Sequence, residues 1–421
     1  MKKWKRAATG VMTLSVIGGL VAGCGTSGST ANSPASNGTG NSGSVPSGQT
    51  ITLWSWQGGP ELDAVKSIAQ AWGKQHGDTV TVVDQSKNPN GFQFYATAAR
   101  AGKGPDVMFG MPHDNNGLFQ QEGLLSPVPQ GLINPSDYTQ SEIDAVTIQG
   151  QMYSLPVSVQ TTALFYNTKD IPTPPTDWTS FVNDANKYGF GYDQANLYFD
   201  YAFVGGMGGY VFKNNNGTLD PTDIGLANSG SIQAFQLMRD MVSKYHWMTP
   251  STTGAIAKAQ FSAGKLGMYI SGPWDVPDLK KAGVPYSIAP LPTLSNGQPA
   301  TPFMGVITTY VNSHSKSQQG DWSLAQQLSN ADAQTQYFKA SQQLPTLVSL
   351  QQSADIQSDP YFKAFADQVK NATPMPNIPQ MQAVWTAMSV IKNIIEGKVS
   401  PTAGANDFVN NIKKGIAVQG S

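Results

Sequence analysis

The sequence predicts an α/β protein, on two observations. Strand-like apolar runs alternate with helical patterns along the first third of the folded body, and Gly and Pro punctuate the joins between them. The folded body, about 370 residues after a leader and a low-complexity run, is long enough for two domains.

Ile51 to Trp56 reads as the first strand, stopped by the Gly58-Gly59-Pro60 turn. Leu62, Val65, Ile68, Ala69 and Trp72 then recur at helical spacing. Val80 to Val83 is a second strand, Phe92 to Ala101 a second helix, and Asp106 to Phe109 a third strand. This alternation argues for a parallel sheet, and in such sheets ligands bind beyond the carboxyl ends of the strands. Those ends are Trp56-Gln57, Asp84-Gln85 and Gly110 to Asp114. Beyond about residue 160, Pro-rich and Gly-rich loops divide a second mixed segment. Ser231 to Trp247 reads as one amphipathic helix there and Gln380 to Glu396 as another, with Met381, Val384, Trp385, Met388, Ile391 and Ile395 on one face.

The N-terminus speaks of location. Lys2, Lys3, Lys5 and Arg6 precede an apolar stretch, Val11 to Val21, too short to span a bilayer. It ends in Val21-Ala22-Gly23-Cys24, and Cys24 is the sole cysteine. Residues 1–23 therefore read as a lipoprotein signal peptide, with Cys24 as the lipidated mature N-terminus; an ordinary signal peptide with an accidental cysteine is the alternative. A single cysteine also precludes a disulfide within the chain. Residues 24–48, rich in Gly, Ser, Thr and Asn, have almost nothing apolar to bury and read as a flexible tether.

The net charge of −1, with no basic run beyond the leader, argues against nucleic acid as a partner. Charged residues make up 13% of the chain, about half the usual share. Glutamate occurs four times, at Glu61, Glu122, Glu142 and Glu396, while glutamine is abundant. Amides keep their hydrogen bonds in acid, so this points to an acidic exterior or to a bias of lineage; composition does not separate the two.

Three segments carry a family resemblance. The first runs from Gly104-Pro105-Asp106-Val107 through His113-Asp114 to Glu122-Gly123-Leu124-Leu125. The second runs from Leu155-Pro156-Val157 through Leu164-Phe165-Tyr166-Asn167 to Pro174-Pro175-Thr176-Asp177-Trp178. The third runs from Phe261-Ser262-Ala263-Gly264-Lys265 through Ser271-Gly272-Pro273-Trp274, and Met375-Pro376-Asn377-Ile378-Pro379-Gln380-Met381 joins it later. Together they resemble the extracellular solute-binding proteins of ATP-driven (ABC) importers, and the last run resembles the maltodextrin-binding branch. The resemblance implies a two-lobed, periplasmic-binding-protein-like (type II) α/β fold with a cleft between hinge-linked lobes. Lobe one would hold 49–159 and 308–358, and lobe two 160–307 and 359–421. It further implies a monomer without a cofactor, anchored on the outer face of the membrane, which closes on maltose or maltodextrin and presents it to the transmembrane subunits of a permease.

The resemblance also implies site residues. Tyr198, Trp274 and Trp385 fall where the family stacks aromatics on successive glucose units, the apolar π-face meeting the C–H patch of the sugar. Packing is the alternative for Tyr198, and a core anchor for Trp385. Trp56 is a further aromatic candidate. Asp114 matches an aspartate that holds sugar hydroxyls; an N-cap for a helix from about Asn116 is its alternative. Gln160, Gln93 and Asn196 stand where better-known maltodextrin binders carry glutamates, and Asn115 and Ser389 where they carry arginines. Gln57 and Glu61 border the first turn, whose length differs from the family's. Charged cleft groups have thus become neutral. Neutral hydrogen bonds are weaker, but amides do not titrate, so sugar affinity is expected to stay nearly flat from neutral pH to about 3.5.

Other classes fit less well. A glycosidase needs a pair of carboxylates, and Asp114, Asp193 and Asp200 show no marked spacing. His76, His113, His246 and His314 form no metal-spaced cluster, and there is no Gly-x-Ser-x-Gly elbow or phosphate loop. Trehalose, sucrose or another oligosaccharide remains the alternative cargo.

Overall fold

The computed structural model describes residues 47–419 apart from Pro89 and Asn216. The expected signal peptide, the lipidation of Cys24 and all but the last two residues of the tether lie outside the described residues.

The first three expected strands form. Thr50–Ser55 pairs in parallel with Thr79–Asp84 on one side, Ile51 opposite Val80, and with Val107–Pro112 on the other, Leu53 opposite Val107. The helix between the first two, Gly59–His76, buries Leu62, Val65, Ile68, Ala69 and Trp72, the stripe read from the sequence. It opens with Pro60 in its first turn and ends at Gly77, whose φ of 73° places it in the left-handed region that glycine enters without a Cβ clash.

The parallel arrangement stops there. Phe303–Val311 lies next to Val107–Pro112 but antiparallel to it, and Leu155–Thr161 pairs antiparallel with Phe303–Val311 in turn. The full order of this seven-stranded sheet is Leu344–Pro345, Leu155–Thr161, Phe303–Val311, Val107–Pro112, Thr50–Ser55 and Thr79–Asp84, with Thr373–Pro374 beside the start of Phe303–Val311. The expectation of a parallel sheet is corrected accordingly. Only strands joined by helical crossovers must run parallel, whereas Phe303–Val311 returns from a second sheet and enters from the opposite end.

That second sheet has four strands, in the order Tyr286–Ala289, Ala163–Asn167, Met268–Ser271 and Phe190–Gly191. Phe165, fully buried on Ala163–Asn167, packs against Tyr269, Tyr286 and Phe365. Removing such a ring typically costs about 3–5 kcal/mol. Thr161 ends a strand of the large sheet and Ala163 begins one of the small sheet, so the chain passes between them within two residues. It returns just before Phe303, so the expected boundary between 307 and 308 falls inside a continuous strand.

The two amphipathic helices are present with altered ends. The first is Ser229–Ser243, started by Asn228, whose side chain accepts from Ser231 N at 2.8 Å. The second is divided into Met381–Ala387 and Val390–Ile395, because Met388 and Ser389 adopt ψ values of −17° and −19°, tighter than an α-helix. Its apolar face survives the break: Met381, Val384, Ile391 and Ile395 are buried, and Trp385 and Met388 are half-buried.

Candidate functional site

The carboxyl ends of Thr50–Ser55, Val107–Pro112 and Leu155–Thr161 share one edge of the large sheet with the start of Phe303–Val311. The registers show it: Ile307 lies opposite Pro112, and Gly305 opposite Gln160. This edge carries Trp56, Gln57, Asp114, Asn115 and Gln160.

Val107–Pro112 leads into a 3-10 turn, His113–Asn115, whose three side chains are all buried. Asp114 does not act as an N-cap. Its Oδ2 accepts the indole N–H of Trp385 at 3.0 Å, and its Oδ1 accepts from Asn115 Nδ2 at 3.2 Å. Burial pushes its carboxyl up to about 7, the Trp385 bond only partly offsetting the loss of water. His113 uses both ring nitrogens: Val306 N donates to Nδ1 at 3.0 Å, and Nε2 lies 2.8 Å from Met375 O. Nδ1 must therefore be the acceptor and Nε2 the donor, which is the neutral ring. Burial holds its pKa down at about 4.

Aromatic rings gather against this edge. Trp274 lies in the 3-10 turn Pro273–Asp275, directly after Met268–Ser271. Asp275 fixes the turn by accepting from Tyr269 Oη at 2.8 Å, Ser271 Oγ at 2.6 Å and Lys258 Nζ at 3.1 Å. The Trp274 ring lies 6.1 Å from that of Tyr198 and 6.2 Å from that of Phe199. Phe303 lies 6.4 Å from Tyr198 and 6.2 Å, edge to face, from Trp385. The Tyr198 hydroxyl is buried with no hydrogen-bond partner among the described residues. Burial and the neighbouring Asp114 both push its pKa up.

The other expected residues are more dispersed. Trp56 stacks on Phe92 at 5.3 Å and covers Gly91, where a Cβ would fall 1.3 Å from the indole. Gln57 Nε2 donates to Gly110 O at 2.7 Å. Asn196 caps the Leu197–Gly206 helix, its Oδ1 accepting from Tyr198 N at 3.2 Å, and it donates to Asp193 Oδ2 at 2.7 Å. Gln160 is half-buried and makes no side-chain hydrogen bond among the described residues. Gln93 is exposed on the first turn of Gly91–Arg100. Phe199, Phe303, Phe92 and the bridging role of His113 escaped sequence reasoning. Phe303 opens an apolar strand and reads simply as core, while His113 gave a signal only through its place beside Asp114.

Aromatic rings and a buried carboxyl gathered at the end of the large sheet form an arrangement suited to a neutral, hydroxyl-rich ligand. The family model for bacterial extracellular solute-binding proteins matches residues 67–364. A solved structure of the maltose-maltodextrin binding protein of the thermoacidophilic bacterium Alicyclobacillus acidocaldarius is 65% identical, with a TM-score of 0.83 over 87% of this chain and 100% of that one. The maltodextrin-binding protein of Bacillus subtilis (strain 168) is 30% identical over 369 residues, 84% of this chain and 87% of its own. A galactooligosaccharide-binding protein of the same organism is 29% identical over 385 residues, 87% of this chain and 90% of its own. The chain belongs to the bacterial extracellular solute-binding proteins, with their two-lobed α/β fold and the ligand cleft between the lobes.

Proposed function

We propose that the chain captures maltose or a short maltodextrin in this cleft and delivers it to the transmembrane subunits of an ABC importer, binding the sugar without transforming it. The observation that carries the reading is the group of Tyr198, Trp274 and Trp385 gathered about the buried Phe303 and Asp114: flat apolar faces for pyranose rings beside an acceptor for hydroxyls. The named ligand of the 65%-identical Alicyclobacillus protein supports it. The large sheet is the core of lobe one and the small sheet that of lobe two, and hinge motion at the crossings near 161–163 and before Phe303 closes the cleft. In this reading the protein works as a monomer, tethered by lipid on Cys24 to the outer face of the membrane. Trp56, Gln57, Gln93, Asn115, Gln160 and Asn196 supply the more peripheral, neutral contacts.

Calorimetric titration with maltose, maltotriose and trehalose tests the assignment. Maltotriose is expected to bind tightly, and Trp274→Ala to weaken it by about a hundredfold, the effect of removing one well-buried aromatic contact of about 3 kcal/mol. The galactooligosaccharide-binding relative motivates a second reading with a different oligosaccharide as cargo. Heat from a galactosyl oligosaccharide and silence toward maltotriose would establish that reading instead.

A further inference from the structure

A cavity of about 920 Å³ opens between two hairpins, Thr147–Ile148 with Gln151–Met152 and Phe212–Asn215 with Thr218–Ile224, and the loop 373–380. None of the ten residues expected in the cleft lines it. Phe303 connects the two places. It packs on Trp385 and Tyr198 of the cleft, and its ring lies flat against Tyr201, at 3.7 Å and 2°, on the cavity wall.

We infer that this cavity is a second binding site, for a neutral oligosaccharide. Tyr201 is only 4% exposed, lines the cavity, and makes no hydrogen bond through its hydroxyl among the described residues. Its ring is buried while its hydroxyl is not among the buried unpartnered atoms, so the oxygen is reachable on the cavity wall and a ligand hydroxyl can bond it. Gln121, Gln149 and Gln380 also line the cavity with amides that make no side-chain hydrogen bond among the described residues. The cation on its wall is engaged, since Lys213 lies 3.6 Å from Asp223, and the carboxylate of Asp144 accepts only a neutral donor, Gln140 Nε2 at 2.7 Å. An anion therefore meets no free counter-charge, a cation meets the single carboxylate of Asp144, and a purely apolar ligand would strand the amides. A polyhydroxylated neutral molecule matches donors and acceptors of this kind, and the volume is at the upper end of ligand pockets, roughly 300–1,000 Å³.

The choice of sugar rests on the function proposed for the cleft; the location does not. Gln149 belongs to the segment that feeds the large sheet, and Tyr201 and Lys213 to the body around the small one. Hinge motion that opens the cleft therefore reshapes this cavity, and a ligand that fits it here favours the arrangement in which Trp385 reaches Asp114.

The test is calorimetry of the full chain with maltotriose, carried from micromolar to tens of millimolar. The expected result is a tight event followed by a weaker one of similar stoichiometry. Trp274→Ala weakens the tight event and leaves the weaker one in place. Tyr201→Phe, which keeps the ring on Phe303, weakens the second event by about threefold or more, the loss of one neutral hydrogen bond, and Gln149→Ala with Gln380→Ala does so further. A single event, or a second event that Tyr201→Phe and the glutamine pair leave unchanged, overturns the inference. Survival of the tight event in Trp274→Ala would instead overturn the cleft assignment. No heat with maltotriose at any concentration removes both.

Discussion

Asp114 and Trp385 are 271 residues apart in the chain, and one hydrogen bond of 3.0 Å joins them. Trp385→Phe keeps a ring against Phe303 and deletes the indole donor, leaving the carboxyl with Asn115 alone. A hydrogen bond to a buried carboxyl is worth about 1–2 kcal/mol, so maltotriose affinity is expected to fall about tenfold, read by calorimetry at neutral pH. Titration of the site is bracketed by its two buried ionisable neighbours. Asp114 is pushed up to about 7 and His113 down to about 4. Between those values neither changes charge, and Gln57, Asn115, Gln160 and Asn196 have no charge to change. Sugar affinity is expected to be level from about pH 6 to about 4.5 and to fall below about 4, where a proton on His113 Nδ1 expels the Val306 N–H. A titration series with its steepest change near pH 5 would contradict this. The plateau is narrower than the amide substitutions alone predicted. Those substitutions were visible in the sequence, whereas the burial that shifts Asp114 and His113 was not.

The loop from Met375 to Met381 holds Trp385 in place, and Asn377 holds the loop. Its Nδ2 lies 3.0 Å from Asp144 O, 3.0 Å from Ala145 O and 2.9 Å from Thr147 O, closing the end of the Gln140–Val146 helix. Close packing backs this up, since a Cβ on Gly117 would fall 2.1 Å from Asn377 O. Asn377→Ala leaves these buried carbonyls short of a donor and is expected to cost about 2–3 kcal/mol in urea unfolding. It should also weaken maltotriose binding, because the base of Trp385 loosens. Unchanged stability would show that water replaces the amide without penalty. Elements of this kind mark the limit of what a sequence discloses. The Gly59–His76 helix was legible because its apolar stripe, Leu62 to Trp72, is local. The Met375–Met381 run was recognisable as a motif, but the partners of its Asn377 lie 230 or more residues away in the chain. The antiparallel entry of Phe303–Val311 was likewise hidden, since an apolar run has the same pattern in either direction.

For the whole molecule, scarce carboxylates and their burial act together on stability. Glu142, one of four glutamates, accepts from Thr139 N at 2.9 Å and from Gln351 Nε2 at 3.0 Å, and burial pushes it up to about 7. Asp321, which accepts from Ser315 Oγ, is also raised by burial to about 7, as is Asp114. Burial raises Asp200, bonded to Tyr192 Oη, as well. Each of these groups binds its proton more tightly when folded than when unfolded. The contribution of Glu142, Asp321 and Asp114 is therefore fully present below the unfolded value near 4 and is lost as pH rises through the folded value near 7, and Asp200 acts in the same direction. His113 opposes them: its pKa is depressed in the fold, so its contribution is lost as pH falls from about 6.5 to about 4. Asp84, Asp177, Asp220 and Asp278, lowered by hydrogen bonds, act only below about 4. Between about 7 and 4.5 the buried carboxyls outnumber the single imidazole, so the melting temperature is expected to be higher at pH ~5 than at pH ~7.5. Glu142→Gln should flatten the slope, because the amide stays neutral throughout. Calorimetric melts across that range decide the matter: a protein that melts lower at pH ~5 would show that these carboxyls are ionised in the fold, and the low glutamate content would then be a matter of lineage rather than of acid.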